Sequence, residues 1–321
     1  MIVTLTPNPS LDRALHLDRL LVGEVNRAEA THVHAGGKGI NVSRALVAHE
    51  VDSCAVLPSG GPEGAQLVAL LAAQGVAAHP VPVAGATRSN ITLSEAGGAT
   101  TKINASGPAL SADEVDALLH AVDSELATAT RALVAAGSLP VGVSDDFFGR
   151  VADLGARRGV PVVLDTSGAP FAAAVRHGGL ALVKPNDEEL AELVGHELVT
   201  VGDVLSAAET VLAAGTAAVL VSLGKNGALL VVPGRSWWAG GPALIPVSTV
   251  GAGDSTLAGY LSVAGDPMVP DHLVERLRHA VAWGRAAVLL PGTAAPRPGD
   301  IRLSDVRVVP DPDPSVTLKE L

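Results

Sequence analysis

Cysteine is almost missing from this chain: Cys54 is the only one in 321 residues. A single thiol can form neither an intrachain disulfide nor a multi-cysteine zinc site, and such a chain is not built for an oxidising compartment. Aromatic residues are scarce as well, at 2%, so Ala, Val and Leu must fill the core of a chain that is 48% hydrophobic. Positive charge is in short supply. The 22 Lys and Arg face 33 Asp and Glu, for a formal net charge of −11, and no basic cluster interrupts the excess. That speaks against nucleic-acid binding, which needs a basic face to neutralise phosphates. Any anionic substrate must instead meet positive groups concentrated at one place. Long apolar runs are absent too: residues 132–136 and 217–221 fall far short of the roughly 20 that span a bilayer, so no membrane partner is expected. The opening MIVTLTPNPSLDR is broken by Pro7, Pro9 and Asp12 before an export signal could form, which makes the cytoplasm the expected location.

What the chain does have is short apolar runs bounded by turns, at 2–5, 53–57, 132–136, 160–164, 180–183 and 217–221. They read as parallel strands buried on both faces. Helix-period segments lie between them, at 39–49, 64–74, 111–127, 144–158, 186–194 and 203–214. Ser111 with Glu114 and Asn186 with Glu189 supply the cap and third-residue acid that satisfy free helix amides reciprocally. The alternation argues for an α/β fold, a doubly wound and mostly parallel sheet flanked by helices, with ligands at the carboxyl ends of its strands. The length allows one such domain with an appendage, or two ordinary domains.

Residues 12–35 and 87–106 depart from this pattern, alternating polar and apolar side chains around a Gly97-Gly98 turn. They read as antiparallel strands that pair with each other as a small β-sheet lid, leaving 1–11, 36–86 and 107–321 for the α/β domain. The outer face of such a lid needs cover, which a homodimer pairing lid to lid would supply. Residues 291–298 read as a loop, 310–314 as unable to sustain a helix or central strand, and the last dozen residues as a mobile tail. His32-Val33-His34 reads as structural, its rings on opposite faces of a strand, while Trp237-Trp238 reads as strand packing and Cys54 as core.

The strongest chemical feature is Thr249-Val250-Gly251-Ala252-Gly253-Asp254-Ser255, followed by a helical pattern. Gly251 and Gly253 let the backbone bend so that free N–H groups at a helix start, including that of Ala252, converge on one anion. A carboxylate beside bound phosphate is repelled by it, so Asp254 makes sense there as a base that accepts the proton of an attacking hydroxyl. By itself it is more cheaply explained as an N-cap favoured by the helix dipole. A second cluster, Gly36-Gly37-Lys38-Gly39 with Asn41, permits close backbone approach, offers Lys38 to a phosphate and Asn41 to hydroxyls, or is a plain loop-to-helix turn. Neither Gly-x-x-x-x-Gly-Lys-Ser/Thr nor Gly-x-Gly-x-x-Gly occurs in the chain.

Lys184, just after an apolar run, can neutralise nucleotide phosphate, and Asn186 and Glu189, one helical turn apart, can hold hydrated magnesium, with the capping box as a coexisting explanation. Ser222, Gly224 and Gly227 form a glycine-containing turn suited either to nucleotide contact or to a hairpin. Asp12, Arg88, Asn90, Lys102 and Asn104 are polar residues of the lid segments and candidates for ligand contact.

Taken together, TVGAGDS at 249–255, GGKGIN at 36–41, KPNDEEL at 184–190 and SLGKNG at 222–227 resemble the PfkB (ribokinase-like) carbohydrate kinase family over essentially the whole chain. The resemblance implies an α/β domain with a β lid, ATP and magnesium, and Asp254 as the catalytic base. Within the family, TPNPSLDR, GEVNR at 23–27, TRSNI at 87–91 and SLPVGV at 139–143 look most like bacterial 1-phosphofructokinases and the similar tagatose-6-phosphate kinases. In such enzymes residues matching Asp12, Gly37 and Asn41 bind the sugar, and those matching Lys38, Arg88 and Lys102 face its phosphate. The expected reaction is therefore phosphorylation of fructose 1-phosphate to fructose 1,6-bisphosphate. Tagatose 6-phosphate or fructose 6-phosphate are alternative acceptors, and a non-catalytic sensor on the same fold is an alternative of another kind.

Overall fold

The apolar runs become the middle of a large sheet. The computed structural model describes residues 1–127, 130–269 and 272–321. From the N-terminus the chain forms β1 (Ile2–Leu5), β2 (Ser10–Leu17), β3 (Ala30–Gly36), α1 (Lys38–Val47), β4 (Ser53–Ser59), α2 (Gly61–Ala73) and β5 (Ala77–Pro82). It continues through β6 (Arg88–Glu95), β7 (Thr100–Ile103), α3 (Ala112–Glu125), β8 (Ala132–Ala136), α4 (Phe147–Arg158), β9 (Val162–Asp165), α5 (Gly168–His177) and β10 (Leu182–Val183). The remainder forms α6 (Asp187–Val194), α7 (Val201–Ala213), β11 (Val219–Ser222), β12 (Ala228–Val232), β13 (Arg235–Gly240), α8 (Ala252–Ser262), α9 (Leu273–Ala287) and β14 (Arg307–Pro310).

Among the described residues the larger sheet has the order β14-β13-β12-β11-β10-β9-β8-β1-β4-β5. Pairing is parallel from β5 through β11 and antiparallel from β11 to β14. Its faces sort by the two-residue period of a strand. Val3 and Leu5 of β1 point into a core shared with α3, α4 and α7, whereas Ile2 points into the opposite core with Leu46, Leu257 and Leu277 of α1, α8 and α9. Both expected capping boxes form: Glu114 N donates to Ser111 Oγ at 3.2 Å and Glu189 N to Asn186 Oδ1 at 2.7 Å.

The second sheet has the order β3-β2-β6-β7. Its outer pairs are antiparallel, as read from the sequence, but β2 joins β6 in parallel. Leu11 and Ala35 anchor it to the rest through Ile40, Leu57, Leu67 and Leu71. The alternate face at that end carries Asp12 and His34, which pair across β2 and β3. The rings of His32 and His34 stack with centroids 6.4 Å apart. They therefore share a face, as residues two apart on a strand must, and not opposite faces.

The C-terminal segment differs from the expected mobile tail. Val201 N donates to Val316 O at 2.9 Å, Leu318 N donates to Val199 O at 2.9 Å, and Leu318 is buried. Pairing with the loop before α7 satisfies the backbone that the prolines leave without a strand. Among the described residues no helix is long and apolar enough to cross a membrane.

Candidate active site

Five parallel strands end at one cavity. Thr6 follows β1, Gly137 follows β8, Asp165 closes β9, Lys184 follows β10 and Ser222 closes β11, and all five line a cavity of about 760 Å³. This is where an open α/β sheet exposes the carboxyl ends of its strands and binds ligands.

Asp254 enters the cavity from the first turn of α8. Gly251 caps that helix with φ at 77°, a left-handed conformation that favours glycine, and no side chain caps the amides. The N–H groups of Gly253 and Asp254 have no intrahelical acceptor at this position, so the helix start presents donors and a positive dipole end to the cavity. Asp254 Oδ2 accepts from Asn41 Nδ2 at 2.8 Å. Burial and then the charge of Asp165 push its pKa up to about 6, against the opposing pull of Asn41, Lys38 and Lys184. A carboxyl raised to that value is ionised at neutral pH and still basic enough to take a proton.

Asp165 is the counterweight. It is fully buried, and Lys38 Nζ and Lys184 Nζ stand 2.7 and 3.0 Å from its two oxygens. Burial opposes its charge, yet the two ammonium groups hold its pKa below the usual carboxylate range. Lys184 also reaches the helix start, since a Cβ on Gly253 would lie only 3.2 Å from its Nζ. Lys38 is turned toward Asp165, with Glu189 Oε1 at 4.0 Å. Its side chain stays about one third exposed and lines the cavity.

The small sheet contributes the polar wall opposite. Asp12 Oδ1 accepts from Ser10 Oγ at 2.7 Å and from Asn90 Nδ2 at 3.0 Å. Gly36 is required beside it, because a Cβ there would fall 2.2 Å from Asp12 Oδ2. Arg88 donates to the carbonyls of Ala105 and Asn8 at 2.8 and 2.9 Å, while its buried Nε and the Oδ1 of Asn8 lack partners in the protein. Gly37, Asn41, Asp12, Arg88 and Asn90 all line the cavity. Lys102 and Asn104 do not reach it. Lys102 of β7 pairs with Thr92 of β6, on the same face as Asp12 but at the exposed edge of the sheet, and Asn104 is exposed beyond the strand end.

At the other end the cavity is lined by Asn186, Glu189, Ser222, Gly224 and Gly227, as expected, together with Gly251, Ala252 and Gly253. An apolar strip of Leu244, Pro246, Val281 and Val288 adjoins them. Sequence reasoning missed this strip, because residues from a loop and one helix face carry no local motif. It also left Asp165 without a role. That residue's position at the end of a buried strand, one residue type out of place in an apolar run, was the available signal.

A cavity that brings together an uncapped helix start, lysines, a basic carboxylate and a polar wall of Asp12, Asn41 and Asn90 is the arrangement of a phosphoryl-transfer enzyme of the α/β class. Residues 6–299 match the pfkB family of carbohydrate kinases, and the chain belongs to that family. It is 37% identical to the ATP-dependent 6-phosphofructokinase isozyme 2 of Mycobacterium tuberculosis over 94% of this chain and 87% of the relative. It is 38% identical to the 1-phosphofructokinase of Xanthomonas campestris over 88% of this chain and 90% of that protein. In structure it resembles phosphofructokinase-2 of Escherichia coli with a TM-score of 0.86 and 34% identity, covering 93% of this chain and 96% of that one.

Proposed function

We propose that the protein transfers the γ-phosphate of ATP to the free terminal hydroxyl of a ketohexose phosphate, with fructose 1-phosphate as acceptor and fructose 1,6-bisphosphate as product. The observation that carries this reading is the buried Asp254, with its pKa raised to about 6, at an uncapped helix start. In this reading Asp12, Asn90, Gly37 and Asn41 bind the sugar and Arg88 faces its phosphate. Asp254 accepts the proton of the attacking hydroxyl, and the free amides at the helix start, that of Gly253 among them, hold the charge of the transferring group with the Lys184 ammonium. The apolar strip takes the nucleobase, with Ser222, Gly224 and Gly227 along the nucleotide. Lys38 keeps Asp165 ionised and in place, and from its exposed side faces the sugar phosphate with Arg88.

Magnesium fits the remaining donors. The capping box uses Glu189 Oε2 and Asn186 Oδ1, which leaves Glu189 Oε1 to hold a hydrated ion, with Asn186 using its second lone pair. The ion would neutralise nucleotide phosphate charge there. The small sheet acts as a lid over the sugar, formed by 12–35 and 87–106 against the α/β domain. Its outer face bears Leu15, Ile91 and Leu93, with Ile103 exposed at the edge, and a second copy of the chain would cover it.

A coupled ADP-release assay with fructose 1-phosphate, fructose 6-phosphate and tagatose 6-phosphate tests the reading. The highest kcat/KM is expected with fructose 1-phosphate. A preference for fructose 6-phosphate, as the name of the Mycobacterium tuberculosis relative suggests, would reassign the acceptor, and silence with all three would leave a sensor.

A further inference from the structure

Asp254 is held by an amide that could face either way. An Asn side chain presents an acceptor on one side and donors on the other, and only its neighbours decide which side meets a carboxylate. With Oδ1 toward Asp254, two acceptors would oppose each other. One turn along α1 from Asn41, Arg44 Nη1 donates to Asn41 Oδ1 at 3.2 Å, and a guanidinium can only donate. The Asn41 oxygen is thereby claimed, and its Nδ2 is left to donate to Asp254 Oδ2 at 2.8 Å.

Arg44 is fixed from two further sides. Its Nε donates to Gln74 Oε1 at 2.7 Å, just beyond α2, and its Nη1 also donates to Thr293 O at 3.3 Å. Thr293 packs behind the helix start, since a Cβ on Gly251 would lie 3.7 Å from Thr293 Cα. One guanidinium therefore contacts both the partner of the carboxylate and the loop supporting the amide donors. Its charge faces Asp12 from β2 and Asp254 from α8, and the charges of Asp165, Lys38 and Lys184 act on Asp254 as well. Arg44 is not among the residues lining the cavity, whereas its partners Asn41 and Thr293 are.

We infer that Arg44 is a positioning residue for the transfer, orienting the Asn41 amide so that Asp254 is held through one oxygen and points the other at the acceptor hydroxyl. This rests on the reading of Asp254 as the base. A double-mutant cycle of Arg44→Met and Asn41→Ala, read as kcat with fructose 1-phosphate and ATP, isolates the coupling. Alone, Arg44→Met lowers kcat about tenfold and changes the KM for ATP less than about threefold. In the Asn41→Ala background it lowers kcat less than about twofold, because the amide it orients is gone. Arg44→Lys keeps a donor and a charge and recovers most of kcat. The same tenfold loss in both backgrounds overturns the inference, because Arg44 then supports the fold independently of Asn41. Should Arg44→Met fail to fold, the shorter and uncharged Arg44→Gln enters the cycle under the same criterion. Asp254→Asn run alongside separates the two readings. Retained turnover there removes the base itself, whereas an inert Asp254→Asn with additive losses removes only Arg44.

Discussion

Asp254 opposes the stability of its own fold. The unfolded chain ionises this carboxyl near 3.8 and the folded chain near 6, burial being the larger cause and Asp165 the next. A group whose folded pKa is raised disfavours folding once the unfolded form ionises, so the penalty builds between those two values and is complete above them. That difference corresponds to about 3 kcal/mol. Asp254→Asn is therefore expected to raise the unfolding free energy by up to about 3 kcal/mol at pH 8 and hardly at all at pH 4. Urea denaturation at both pH values checks this, and equal midpoints for parent and variant at pH 8 would contradict it. The residue itself was legible from its type and its glycine neighbours, as were Asn41 and Lys184. Arg44 was not, because an arginine near the end of a helix reads as a solvated partner of the dipole until Asn41 and Thr293 are seen beside it. Lys102 shows the reverse: its charge and its place in a lid segment made it a candidate for ligand contact, but it is not among the residues lining the cavity.

The element that matters most is the pair α8 and α9. Their close approach rests on glycines, since a Cβ on Gly259 would lie 2.6 Å from His279 O and one on Gly284 would lie 2.3 Å from Thr256 Oγ1. Thr256 in turn donates to Ala252 O at 2.9 Å, inside the first turn of α8. Gly284→Ala should therefore displace the helix start, destabilise by about 1–3 kcal/mol and raise the KM for ATP. Thermal melts and steady-state kinetics read both effects, and an unchanged melting temperature and KM would show that the contact yields freely. The parallel strands were legible because burial on both faces leaves uninterrupted apolar runs. β5 was hidden by Pro80 and Pro82 in an edge strand of mixed burial. α5 was hidden because Gly168 and Pro170, helix breakers by type, occupy its first turn. The parallel joint between β2 and β6 was out of reach, because it unites segments far apart in sequence.

At the scale of the whole molecule, an acidic chain with a net charge of −11 gathers Lys38, Lys184 and Arg88 around one cavity, as binding two anionic substrates demands. The apolar outer face of the small sheet is the other large-scale feature. If a second copy covers it, Leu93→Glu places a charge in that contact and converts the protein to a monomer at micromolar concentration, read by sedimentation velocity. An unaltered sedimentation coefficient would locate any association elsewhere. The central claim, that Asp254 is the base of a sugar-phosphate kinase, is tested most directly by ADP release from Asp254→Asn with fructose 1-phosphate, with ATP affinity measured calorimetrically on the same sample. The account predicts a kcat lower by about 10²- to 10⁴-fold with ATP affinity essentially unchanged. Turnover within about tenfold of the parent would contradict it.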